Sequence, residues 1–169
     1  MRTMHFIAAA TVWVLGVSAS AAPAHGDAAH HGAHAPALKK VQKAWGIAGD
    51  ARAVVRTIRI RMTDDMRFTP DRIEVREGET LRLRAENKGQ VQHEIVIGTA
   101  HGLEQHAEMM QKNAAMEHGE PHMAHVSAGR KGDIVWTFNR PGSFAFACLV
   151  PGHAQAGMIG SITVLPRKR

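Results

Sequence analysis

Residues 144–158 read Phe144-Ala-Phe-Ala-Cys148-Leu-Val-Pro-Gly-His153-Ala-Gln-Ala-Gly-Met158. Phe144, Phe146 and Cys148 fall on one side of an extended chain and the intervening alanines on the other, the period of a half-buried strand. Pro151-Gly152 breaks that rhythm, Gly157 lets the chain fold back, and Gly160 to Leu165 resumes as a last strand. The stretch is thus two strands joined by a turn-rich loop.

The same period runs upstream. Ile58, Ile60 and Met62 alternate with Arg59 and Arg61; Ile73 and Val75 with Arg72, Glu74 and Arg76; Leu81 and Leu83 with Arg82 and Arg84. Glu77-Gly78-Glu79 and Asn87-Lys88-Gly89 read as turns between them. Val91 to Ile97 forms a strand in which His93 shares parity with Val91, Ile95 and Ile97, and Ile134, Trp136 and Phe138 mark another. About seven short strands separated by turn signals predict an all-β sandwich or barrel.

Two stretches depart from this pattern. Residues 25–51 are expected to form a flexible tail, because His25, His30, His31 and His34 stand among Ala, Gly and Pro, which cannot bury a core. Within it, Leu38 to Ala48 reads as a short helix. Residues 99–126 form a long His- and Met-rich insertion, whose Leu103 to Glu117 is rich in helix formers. The body of the domain is expected to span residues 52–169.

The first 24 residues read as a secretory signal: Met1-Arg2, an apolar run from Phe6 to Val17, and the small-x-small site Ala22-Pro23-Ala24. The run is too short and Ala-rich for a membrane span, so no stable membrane insertion is expected after cleavage. Net charge is +6, and +5 once Arg2 is removed. The absence of a basic-aromatic motif argues against nucleic acid as partner. The positive surface suits acidic proteins, anionic lipid, or simple solubility.

Cys148 is the only cysteine, which in an exported chain leaves it without a disulfide partner. Its neighbours offer another role. Cys148, His153 and Met158 place a thiolate, an imidazole and a thioether at five-residue intervals in one loop. Thiolate and thioether are soft and suit Cu(I), whereas imidazole suits both Cu(I) and Cu(II); a trigonal His₂Cys set with a weak axial Met is an electron-transfer copper site. The second imidazole must come from elsewhere, and His93 is the candidate because it sits on a strand. Each residue alone has a blander reading, as core cysteine, packing methionine or satisfied histidine. Their joint order carries the argument.

At these residues the chain resembles the cupredoxins, the small blue or green copper proteins that include plastocyanin, azurin and pseudoazurin. The resemblance rests on Asn87-Lys-Gly-Gln-Val-Gln-His93-Glu, Gly142-Ser-Phe144-Ala-Phe146-Ala-Cys148, Pro151-Gly-His153 and Gly157-Met158, and covers about Arg52 to Leu165. It implies a Greek-key β-sandwich with His93, Cys148, His153 and Met158 as copper ligands. A narrower resemblance is to periplasmic cupredoxins of bacterial copper tolerance. It is carried by Asp65-Met-Arg-Phe-Thr-Pro70, the His-rich start, and the insertion after Ile97-Gly98-Thr99.

The expected function is therefore copper binding, buffering or transfer in the periplasm. The alternative is a soluble electron carrier. The expected partners are copper ions and a redox protein, copper transporter or oxidase. An enzyme is not expected: the chain is short for a multi-domain oxidase, lacks an adjacent His-Cys-His, and has no second cysteine for a binuclear centre. Further copper could be held by His101, His106, Met109, Met110, Met116, His118, His122, Met123 and His125, and by the four tail histidines. His106, Met109 and Met110 would share one helical face. Packing of Met109 and Met110 on the sandwich is the competing reading. Because all four primary ligands lie outside it, removing residues 101–125 is expected to leave the primary site intact.

Overall fold

The structure, a computed structural model, describes residues 40–112 and 119–168. Ten strands and one α-helix form in these residues: β1 (Ile47–Ala48), β2 (Arg56–Thr63), β3 (Arg67–Thr69), β4 (Arg72–Arg76), β5 (Thr80–Asn87), β6 (His93–Gly98), α1 (Ala100–Lys112), β7 (Met123–Val126), β8 (Lys131–Thr137), β9 (Gly142–Ala147) and β10 (Ile159–Leu165). They make two five-stranded sheets, ordered β1-β8-β5-β2-β3 and β4-β10-β9-β6-β7. The β2–β5 and β4–β10 pairs are parallel and the rest antiparallel. The expected Greek-key β-sandwich is the architecture observed.

The alternating apolar residues face each other across the sandwich. Ile60, Met62, Leu81, Leu83, Ile134 and Trp136 come from the first sheet, and Ile73, Val75, Ile95, Ile97, Phe146 and Ile162 from the second, into one buried cluster. The arginines of β2 and β5 turn outward. Among them Arg84 and Arg82 clamp Asp133, with Arg84 first in lowering its carboxyl to about 2. Such half-exposed pairs add little stability.

Several expectations change. The tail does not reach residue 51: β1 pairs with β8, and Trp136 Nε1 donates to the Trp45 carbonyl at 3.0 Å. Nor does the described part of Leu38 to Ala48 form a helix. Gly46, at φ 129°, sits where a Cβ would meet the Thr137 carbonyl, so the backbones approach too closely for a helical side-chain shell. The helix of the insertion starts earlier than expected and is described to Lys112; residues 113–118 lie outside the described residues.

The insertion also proves inseparable from the sheet. It leaves β6 at Gly98 and returns as β7, whose Val126 lies opposite His93. Val96, Leu103, Met123, Ala147 and Leu149 form a second apolar cluster beneath α1. Deleting residues 101–125 would remove most of β7, one of the two strands paired with β6, so the primary site is not expected to stay intact in that deletion.

Candidate metal centre

β6 and β9 run antiparallel with Val96 opposite Ala147. Extending that register brings the start of β6 beside the residues that follow β9. This is how His93 and Cys148, 55 residues apart, come to one end of the sandwich. The loop after Cys148 closes on itself: Cys148 N–H donates to the Met158 carbonyl at 3.1 Å, and Met158 N–H to the His153 carbonyl at 3.0 Å. Gly152 and Gly157 both adopt positive φ, 87° and 103°, which lets the loop turn twice within a few residues.

The loop and strand bring three donor atoms together. His93 Nδ1 lies 3.2 Å from His153 Nδ1, and Cys148 Sγ lies 3.3 Å from His153 Nδ1. All three lie within 4.8 Å of one another. His93, Cys148 and Met158 are fully buried, and His153 is half-buried at the surface. The spacing fits a shared ion. Nitrogens 3.2 Å apart and a sulfur 3.3 Å from one of them are close enough for all three to reach one ion at metal–ligand bonds of about 2.0–2.3 Å. Met158 occupies the same buried end, and its backbone is tied to both Cys148 and His153.

Supporting contacts surround these donors. Glu94 N–H points at Cys148 Sγ at 3.4 Å. The Glu94 carboxylate, itself buried, accepts from Leu149 N–H at 2.8 Å and pairs with His125 Nδ1 at 2.9 Å. His93 Nε2 meets Asp64 Oδ1 at 3.1 Å. The N–H of Gln90, foremost, holds the Asp64 carboxyl below its usual range. Sequence reasoning missed both carboxylates. Glu94 occupies a strand position that alternation assigns to solvent, and Asp64 joins the site only through tertiary structure.

The secondary candidates scatter. His101 and Met109 are exposed on α1, with His106 and Met110 half-buried beside them. Only Leu103 of that helix is buried, so Met109 does not serve as core packing. His122 lies between Trp45 and Trp136, with ring centroids 5.4 and 5.9 Å away, and Met123 is buried beneath α1. Both therefore work as core residues in this fold. His125 is committed to Glu94. His25, His30, His31, His34, Met116 and His118 lie outside the described residues. Among the described residues, His93, Cys148 and His153 are the one His/Cys/carboxylate group close enough to hold a metal ion.

A family model described as copper binding proteins, plastocyanin/azurin family, matches residues 55–165. The chain belongs to this family. Copper is thus its cofactor, and the His93–Cys148–His153 cluster has the donors to take it. The chain is 44% identical to the copper-resistant cuproprotein CopI of Rubrivivax gelatinosus, over 92% of both chains. It is 32% identical to that of Pseudomonas aeruginosa, over 90% of this chain and 91% of the relative. Among solved structures it resembles auracyanin B, with a TM-score of 0.61 at 24% identity, over 72% of this chain and 96% of that one. At that identity the likeness concerns the fold.

The site carries a proton requirement. Burial, ahead of the opposing N–H contacts, pushes the Cys148 thiol up to about 11. Burial and then the nearby His93 push His153 down, which disfavours its protonated form. A thiol must deprotonate to ligate. Between pH 7 and 9, copper uptake is expected to release about one proton per ion, with apparent affinity rising roughly tenfold per pH unit. Calorimetry in two buffers of different ionisation enthalpy measures this. Release of no proton would mean that Cys148 stays a thiol in the complex.

Proposed function

We propose that this is an exported copper-handling protein of the periplasm, built around a mononuclear type 1 copper site. The observation that carries the reading is the convergence of His93 Nδ1, His153 Nδ1 and Cys148 Sγ at one buried end of the sandwich. In this reading these three residues and the Met158 thioether would hold the ion. Copper supplies one-electron exchange between Cu(I) and Cu(II) when bound. The chain's own part is to fix the donors, exclude water with the surrounding core, and expose the His153 edge as the route in and out. The protein acts without catalysis of its own, and the leader is removed on export.

Two observations favour copper handling. The relatives matched over nine-tenths of their length are named for copper resistance. The exposed His101 and Met109 with half-buried His106 and Met110 add imidazole and thioether donors that an electron carrier does not need. Electron transfer remains the second reading, favoured by the half-buried His153. Copper passes in the first reading to a transporter or oxidase, and electrons pass in the second to a redox protein.

Stoichiometry tests the choice. The full chain is titrated with Cu(II), then with Cu(I) under reducing conditions, beside a variant carrying His101→Ala, His106→Ala, Met109→Leu and Met110→Leu. One equivalent of Cu(II) should produce an intense visible band in both proteins. Cu(I) beyond one equivalent should bind the parent and fall by at least one ion in the variant. Equal capacities would remove the helix from the copper-handling argument and favour the electron carrier.

A further inference from the structure

We propose that Asp64 is a positioning residue for the copper centre, holding the His93 ring through Nε2 and biasing the centre toward Cu(II). This rests on the type 1 reading above. His93 uses its two nitrogens for different purposes: Nδ1 faces His153 and Cys148, while Nε2 meets Asp64 Oδ1 at 3.1 Å. A carboxylate only accepts hydrogen bonds, so Nε2 must carry the proton and Nδ1 is left with its lone pair toward the metal.

The Asp64 carboxylate is itself built into place. It lies in the turn between β2 and β3 and reaches the turn that precedes β6. There Gln90 N–H donates to Oδ2 at 2.6 Å, and Val91 N–H approaches Oδ1 at 3.5 Å. A Cβ on Gly89 would collide with Oδ1, so the glycine opens the space that the carboxylate fills. Gly89 is fixed in turn by its N–H to Asn87 Oδ1 at 2.9 Å, and Lys88 N–H donates to the Met62 carbonyl at 2.9 Å. Asp64 therefore ties the two turns together and ends on the metal-facing histidine.

The chemical consequence follows from charge. An anion on the far nitrogen makes the imidazole a stronger donor and favours the more positive metal state. His93 is 0% exposed, whereas the Asp64 side chain is 37% exposed, so water screens part of the effect. Supporting contacts of this kind change metal affinity by roughly 10–100-fold. Partial screening places Asp64 at the lower end.

The test uses the full chain with copper. Cu(II) and Cu(I) affinities are measured by chelator competition, and reduction potentials by redox titration, for the parent, Asp64→Asn, Asp64→Ala, Asp64→Glu and Gly89→Ala. Asp64→Asn should lower the Cu(II)-to-Cu(I) affinity ratio about tenfold, equivalent to a rise in potential of about 59 mV for one electron. Asp64→Ala and Gly89→Ala should move it the same way, and Asp64→Glu should stay nearest the parent. A ratio within twofold of the parent in both Asp64→Asn and Asp64→Ala, with native circular dichroism, would overturn the proposal. An absent intense band in the parent would instead overturn the type 1 reading, since the affinity ratios do not depend on colour.

Discussion

Serine in place of Cys148 is expected to abolish the intense visible band at one equivalent of Cu(II) while the protein remains folded. The change substitutes a hard oxygen for a soft sulfur at a fully buried position. It should also cost Cu(I) affinity more than the roughly 10–100-fold that follows the loss of a merely supporting contact. Folding should suffer less. A serine hydroxyl there has Glu94 N–H and His153 Nδ1 within reach of the original sulfur, at 3.4 and 3.3 Å. The usual penalty of about 1–3 kcal/mol for an unsatisfied buried polar group is then largely avoided. Visible absorption reads the first effect and urea unfolding of the metal-free protein the second. An undiminished band in Cys148→Ser would remove the thiolate from the centre.

Alanine in place of Trp136 is expected to destabilise the metal-free protein by about 3–5 kcal/mol. The ring is 1% exposed in β8, stands edge-on to His122 at 5.9 Å, and donates from Nε1 to the Trp45 carbonyl at 3.0 Å. Removing it opens a large cavity and also frees the segment that carries β1. With a urea dependence of about 1–3 kcal/mol per molar, the midpoint should fall by at least roughly 1 M. The visible spectrum of copper-loaded protein should persist below that midpoint, because His93 begins β6 and Cys148 directly follows β9, both strands of the opposite sheet. A stability loss under about 1 kcal/mol would show that the core collapses around the missing ring.

The two effects separate parts of the molecule that the sequence revealed unequally. Strands β2, β4, β5 and β9 were legible because each is long enough for apolar alternation to repeat. β1, β3 and β7 have two, three and four residues, too few to display a period. β7 was further hidden within a stretch whose His and Met content suggested metal binding. In the fold Met123 and Val126 are core residues, while His125 meets Glu94. β6 is buried along its whole length because β7, β9 and α1 surround it. Alternation therefore gave the inward side of His93 correctly and gave no sign of a buried carboxylate at Glu94.

The candidate donors divide in the same way. Cys148, His153 and Met158 announce themselves by spacing within one loop, and His93 by its place on a strand. Asp64 could not be read in advance, since its contact with His93 spans 29 residues and depends on the absence of a side chain at Gly89. Local spacing shows donors that a loop brings together. Their orientation is set by residues that only the folded chain brings close.

The hairpin that closes with Ala147 opposite Ile159 has a consequence for metal linkage to folding. Three of the four proposed donors lie between those two residues, so an unfolded chain keeps them as neighbours and lacks only His93. A ligand stabilises a protein by its preference for the native over the unfolded form, and any affinity of the unfolded chain reduces the gain. Soft donors packed so closely in sequence give the denatured ensemble an affinity for Cu(I) of its own. Copper should raise the unfolding temperature by less than its native affinity implies, and a newly made chain should be able to chelate the ion before its sheets have assembled.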